Sequence, residues 1–286
     1  MHTFTHAGHT LTWEEHSPGE HTLIFIHGYS ANRTIWLREV RRLACLGRCV
    51  TLDLPGHYPA QPPHGYAKLT QEELLDLETR AVKAIIGAGT CTLIGHSTGG
   101  LVALGVAARL PAQVRRVVSI AGVVWGPLTG FLGAYQRTMG QPGGYTRYWL
   151  NYLLSKCSWH LVRWGIGLTY VGDRAAYWRN RTIATSISRW HPTYRQSTIR
   201  NFYVLLELLR HIDVRDEVQR VACPVLAIVG GADPVVPPAS SRWLAANLPD
   251  ATLLEVPGAG HVVHWEAQAM VEQALLDWLV AHPVTP

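Results

Sequence analysis

The stretch "TLIGHSTGGLVALGV", Thr92–Val106, changes its hydrophobic period halfway along, and the change falls on a serine that stands between glycines. Thr92, Leu93 and Ile94 close an apolar run of the kind a buried strand makes, whereas Leu101, Val102, Leu104, Gly105 and Ala108 recur at helical spacing. Ser97 is therefore predicted in a tight strand-to-helix turn that projects its hydroxyl. The residues two positions away on either side must lack a bulky Cβ substituent, and Gly95 and Gly99 meet that demand. A helix starting after Ser97 also aims unpaired backbone N–H groups at whatever bonds to the hydroxyl. The same residues fit a glycine-rich helix start with Ser97 as a plain N-cap, so the rest of the chain has to decide.

With 286 residues, 48% hydrophobic and 16% charged, the chain buries a large core and is not disordered. The N-terminal "MHTFTHAGHTLTWEEH" lacks a basic stretch followed by an apolar one, so no signal peptide is expected. No apolar run approaches the ~20 residues that span a bilayer. The expectation is a soluble, cytoplasmic protein with no transmembrane segment. Five cysteines (Cys45, Cys49, Cys91, Cys157, Cys223) are an odd, scattered set, which predicts free thiols in a reducing compartment. No His/Cys cluster completes a metal site and no cofactor motif is present, so neither metal nor cofactor is expected. A net charge of +5 is modest for this length, and no nucleic-acid module is recognisable.

Outward from the serine, strands and helices alternate. Residues 2–15 read as two short strands, Thr22–Ser30 and Cys49–His57 as two more, and Val114–Val124 as another. Between them a helix opens on a capping box of Thr70 and Glu73, with Leu74, Leu77, Val82 and Ile85 on its buried side. After Trp125 the alternation stops in favour of a helical, aromatic region. There Trp149, Tyr152, Leu153, Cys157, Leu161 and Trp164 predict one helix ended by Gly165 and Gly167, and Ile199, Phe202, Leu206 and Leu209 a later one. Strand Pro224–Asp233, a helix at Ser240–Asn247, strand Ala251–His261 and a helix from Glu266 to Val280 complete the chain. The expected organisation is an α/β core over 1–124 and 208–286, interrupted by a helical cap over 125–207. Its sheet is mostly parallel, with helices on both faces.

Open parallel sheets bind ligands beyond the carboxyl ends of their strands. His27-Gly28-Tyr29, Ser97, Asp233 in "GGADPVVP" and His261 in "VPGAGHVVHWE" all fall at such ends. A serine hydroxyl needs a base within hydrogen-bond reach, and an imidazole, which titrates near neutrality, suits the work. His261 is the candidate base and Asp233 the carboxylate that holds its tautomer; Ser97, Asp233, His261 is the chain order expected for this geometry on a doubly wound sheet. The backbone N–H groups of Thr98 and Tyr29 are the candidate oxyanion hole. Rival readings exist for each. Asp233 before Pro234 is also an ordinary turn start, and His264 competes with His261. Asp53, His57 and His96 are read as structural.

At this point the sequence resembles the α/β-hydrolase family over nearly its whole length, through "HGYS", "DLPGH", "GHSTGG", "PVLAIVGGADPVVP" and "GAGHVVHWE", each in its expected place. The resemblance implies the α/β-hydrolase fold, with an eight-stranded sheet and a helical cap inserted after the sixth strand. It is similar to capped serine esterases, lactonases, cofactor-free perhydrolases and carbon–carbon bond hydrolases. A serine at the elbow departs from the family's haloalkane dehalogenases and epoxide hydrolases, and Tyr29-Ser30 departs from the proline common in perhydrolases. Tyr58 stands where a second glycine commonly follows "DLPGH".

The expected function is cleavage of a carboxylic ester, lactone or thioester through an acyl-enzyme. A receptor that keeps the fold without turnover stays open, as do carbon–carbon hydrolysis and perhydrolysis. The partner is a small ester-like molecule, apolar or aromatic given the tryptophans and tyrosines of the insertion. Between Trp125 and Arg200 ten basic residues face one acid, Asp173. That excess fits a solvated outer face, or a field that draws in an anionic substrate or docks on an acidic partner or membrane surface.

Overall fold

The computed structural model describes residues 1–284. Eight strands, β1 (His2–His6), β2 (His9–Glu15), β3 (Thr22–Ile26), β4 (Arg48–Leu52), β5 (Cys91–His96), β6 (Val114–Ile120), β7 (Val225–Gly230) and β8 (Ala251–Val256), form one sheet. Its order is β1-β2-β4-β3-β5-β6-β7-β8. Only the first two pairings are antiparallel; from β4 onward every neighbour runs parallel. Every residue of β3, β5 and β7 is buried, which explains why these strands read as continuous apolar runs. This is the α/β-hydrolase fold.

Five of the parallel strands stop several residues short of their predicted ends, while β5 runs on two residues past Ile94 to His96. β3 ends at Ile26, β4 at Leu52, β6 at Ile120, β7 at Gly230 and β8 at Val256. Beyond β3 and β4, side chains tie loop to loop: His27 bonds the Gly28 carbonyl and the Leu54 N–H, and His57 the Ser30 N–H and the Pro55 carbonyl. His27–Ser30, Asp53–His57, Asp233 and His261 thus all sit on loops at the carboxyl edge.

The helix Gln71–Ile86 begins as expected. Thr70 Oγ1 accepts the Glu73 N–H at 3.2 Å and Glu73 Oε2 accepts the Thr70 N–H at 2.7 Å. The region between β6 and β7 departs more from expectation. The single helix predicted through Trp149 and Trp164 is two, Gly144–Cys157 and Trp159–Thr169, because Ser158 is extended (φ −154°, ψ 135°) and caps the second. Gly165 and Gly167 lie inside that second helix, and Gly167 is there for clearance: a Cβ would sit 2.6 Å from the Trp178 ring. The helix Ile199–His211 runs through residue 207, where the insertion was expected to end, and Val263–Glu266 is a separate turn before the last helix, Gln268–Ala281. All five cysteines are free. Among the described residues, no helix is long and apolar enough to cross a membrane.

Removing the capping hydroxyl in Thr70→Ala is expected to cost about 1 kcal/mol. Leu93→Ala, emptying a fully buried site in β5, is expected to cost about 2–5 kcal/mol. Urea denaturation midpoints at constant m-value check both.

Candidate active site

The turn after β5 sets the geometry. Ser97 stands at φ 55°, ψ −115°, a positive-φ conformation that residues with a side chain rarely adopt, and immediately precedes the helix Thr98–Arg109. Such a conformation costs of order 1–3 kcal/mol and persists only when its surroundings over-determine it. Here they do. The Ser97 N–H donates to the Ile120 carbonyl at 2.8 Å, and the Ser97 carbonyl accepts from the N–H groups of Gly100, Leu101 and Val123. A Cβ on Gly95 would run into the Gly99 carbonyl oxygen, and one on Gly99 into that of Ile26.

Loops after β7 and β8 bring two side chains to the serine. His261 Nε2 lies 3.0 Å from Ser97 Oγ, and its Nδ1 lies 2.9 Å from Asp233 Oδ2. The other carboxylate oxygen of Asp233 accepts the N–H groups of Val235 (2.7 Å) and Val236 (2.9 Å), so the group is held at both ends. The turn that Pro234 initiates therefore orients this carboxylate. All three side chains are buried.

The His261 backbone is fixed as well. Its N–H donates to the Tyr170 carbonyl at 2.7 Å, and its carbonyl accepts from His96 Nε2 at 3.0 Å. Glu266 accepts the N–H groups of Gly172, Asp173 and Gly260, joining the loop before His261 to the turn after the helix Trp159–Thr169. Sequence reasoning passed over Glu266. Its one signal was a carboxylate five residues after the histidine, which does not say which N–H groups it would meet.

His264, the rival base, makes no hydrogen bond to Ser97 among the described residues. Its ring packs 4.6 Å from His96 and 5.9 Å from Trp36, centroid to centroid. Burial holds its pKa well below the ordinary value, and neither ring nitrogen has a hydrogen-bond partner among the described residues.

Gly28 places the other loop against Ser97, since a Cβ there would lie 3.1 Å from that of Ser97. The backbone N–H groups of Tyr29 and Thr98 donate to no protein acceptor among the described residues. Neutral histidines hold this loop in shape. His57 accepts the Ser30 N–H on Nε2 at 3.1 Å and donates from Nδ1 to the Pro55 carbonyl; burial lowers its pKa to about 4. His27 likewise donates to the Gly28 carbonyl and accepts the Leu54 N–H. Asp53 bonds the Arg33 N–H and guanidinium and the Thr12 hydroxyl; burial raises its pKa to about 6 against the pull of Arg33. His96, buried and lowered to about 3, serves His261 through its backbone.

Ser97 and His261 line a cavity of about 390 Å³ whose wall includes Tyr29, Phe131, Tyr152, Leu161, Tyr170 and Trp190. Asn151, Ser155 and Thr169 add polar groups that the sequence reading did not single out. Among the described residues, no Asp, Glu, Lys or Arg lines it. The nine arginines of the insertion therefore lie elsewhere, eight exposed and Arg163 half-buried. Many of the aromatic residues of the insertion also stay out of the wall: Tyr148 and Tyr177 are core, while Trp149 and Trp164 face outward. Among the described residues, no group of His, Cys, Asp or Glu converges as a metal site.

A fold of this kind, with an elbow serine beneath an apolar cavity, defines a hydrolase-type architecture. A family model described as the alpha/beta hydrolase family matches residues 23–274. The chain belongs to that family. It is 30% identical over 236 residues to the pimeloyl-[acyl-carrier protein] methyl ester esterase of Sodalis glossinidius, covering 80% of this chain and 81% of that one. It is 29% identical to the dihydrolipoyllysine-residue acetyltransferase component of an acetoin cleaving system from Pseudomonas putida, over 96% of this chain and 68% of that one. Among solved structures, a thermophilic esterase from Thermogutta terrifontis superimposes with a TM-score of 0.74 at 19% identity, covering 98% and 97% of the two chains. The enol-lactonase of Burkholderia xenovorans LB400 does so at 0.73 and 17% identity, covering 97% and 99%.

The neutral His57 has a consequence for stability. Above about pH 6.5 the imidazole is uncharged folded and unfolded alike. Below that, the unfolded chain takes up a proton that the folded one refuses until about pH 4, so stability falls by up to about 1.4 kcal/mol per pH unit. His57→Gln lacks this titration. The gap in unfolding free energy between wild type and variant should narrow from pH 6.5 to 4 in urea melts; a constant gap would show that His57 is not buried neutral.

Proposed function

We propose that the protein is a serine hydrolase that cleaves a carboxylic ester through an acyl-enzyme, with Ser97, His261 and Asp233 as its triad. What carries the reading is the unbroken hydrogen-bonded chain from Asp233 through both nitrogens of His261 to Ser97 Oγ, on the wall of one cavity. Ser97 Oγ attacks the carbonyl carbon while His261 Nε2 takes its proton. Asp233 keeps the Nδ1–H tautomer and stabilises the imidazolium. The N–H groups of Tyr29 and Thr98 receive the developing oxyanion. Collapse expels the alcohol with the proton from His261, and a water activated by the same imidazole then releases the acid. In this reading residues 125–207 act as a helical cap over a core of 1–124 and 208–286.

The apolar lining without a charged side chain favours a neutral substrate with an apolar acyl or alcohol group. An anionic ester finds no cation in that wall. Ester and lactone present the same carbonyl to the nucleophile, and relatives named for each chemistry, the Sodalis esterase and the Burkholderia enol-lactonase, support both.

A fluorophosphonate probe should label Ser97, and a panel of neutral aryl esters should be turned over many times per site. Ser97→Ala and His261→Ala should each lower kcat by at least about 10⁴-fold, and their effects should not add. His264→Ala should keep activity within about tenfold of wild type. Full turnover by Ser97→Ala would refute the mechanism, and a single turnover by wild type would favour a receptor.

A further inference from the structure

The helices Gly144–Cys157 and Trp159–Thr169 pack against each other and are apolar on two sides. Inward, Tyr148, Tyr152 and Val162 are buried. Outward, Trp149, Leu150, Leu153 and Leu154 continue one stripe, and Leu161, Trp164 and Leu168 another, at helical spacing. These residues are open to water: Leu154 is 61% exposed, Trp164 58%, Leu168 54% and Leu150 51%. A contiguous exposed apolar face of this kind marks a surface that associates.

Cations surround it. The Arg200 guanidinium lies 5.8 Å from the Tyr145 ring centroid, and that of Arg163 lies 4.9 Å from Trp178, whose ring packs on Trp164. Arg174 reaches the Leu168 carbonyl at 3.3 Å, and Arg147 projects from the first helix into solvent. None of these arginines forms an ion pair among the described residues. Between Trp125 and Arg200 the only acid is Asp173. A leucine and tryptophan face rimmed by arginine is what an interfacial helix presents to anionic lipid.

We infer that this helical hairpin docks the protein on an anionic lipid surface, its apolar face entering the headgroup boundary and its arginines meeting lipid phosphates. The cavity that holds Ser97 opens on the same face. Leu154 and Leu161 belong both to the exposed stripe and to the cavity wall, so a hydrophobic ester can pass from the lipid to the serine without crossing water. That last step rests on the ester-hydrolysis reading; the docking does not.

Docking is measured with Ser97→Ala, which removes turnover and leaves the surface unchanged, by co-sedimentation with phosphatidylcholine vesicles that do or do not contain phosphatidylglycerol. Binding is expected only with phosphatidylglycerol, and it should weaken as salt rises. Leu150→Glu with Leu168→Glu should weaken it at least about tenfold. Arg147→Gln and Arg174→Gln should each weaken it about fivefold. In the enzyme that keeps Ser97, the same leucine changes should leave hydrolysis of a water-soluble ester unaltered. Absence of binding to phosphatidylglycerol vesicles, or binding that survives the paired leucine changes, overturns the inference. So does a solution dimer that those changes dissolve, since the face would then belong to a second copy of the chain.

Discussion

The backbone of Gly99 lies against the Ile26 carbonyl, and that of Gly95 against the Gly99 carbonyl, with no room at either place for a Cβ. This contact lets the strand β5 turn directly into a helix packed on the sheet, and it forces Ser97 into a left-handed backbone conformation. The projecting hydroxyl, the helix N-terminus behind it and the approach of Gly28 all follow from it. Relaxing the turn by one methyl group would lift the helix from the sheet and disperse the site.

Around that point the carboxyl edges of parallel strands supply what no single segment could. Asp233 and His261 come from loops 28 residues apart in sequence, and each is anchored before it reaches its partner. Asp233 is held by two N–H groups of its own turn, and His261 by Tyr170 and His96 through its backbone. The loop bearing Tyr29 depends on His27 and His57, which stay uncharged because burial makes an imidazolium costly. Three of the histidines near the serine thus act as fixed donors and acceptors, and one, His261, bonds both Ser97 and Asp233.

The helical insertion uses apolar residues for two tasks. Its inner faces build the cavity wall and the packing beneath it, while its outer faces carry leucines and tryptophans into solvent among exposed arginines. The charge excess thus lies outside the cavity, whose lining is neutral.

Much of the core was legible in the sequence, because strict local constraints write themselves into short segments. A buried parallel strand must be apolar throughout, a strand-to-helix turn this tight must carry glycines two residues to either side of Ser97, and a capped helix start needs Thr70 and Glu73 at their spacing. The sequence by itself therefore determined the α/β alternation, the serine turn and the carboxyl-edge placement of Asp233 and His261. Only the tertiary structure decided which of His261 and His264 meets Ser97, since three residues on a tight loop can point either way. It also decided where strands end, which follows from loop hydrogen bonds across distant segments, and the role of Glu266, whose three N–H partners come from two of them. In the insertion, periodicity located helices but not their orientation. When both sides of a helix are apolar, spacing cannot tell the cavity wall from the exposed face, and only packing against the core separates Tyr152 from Leu154.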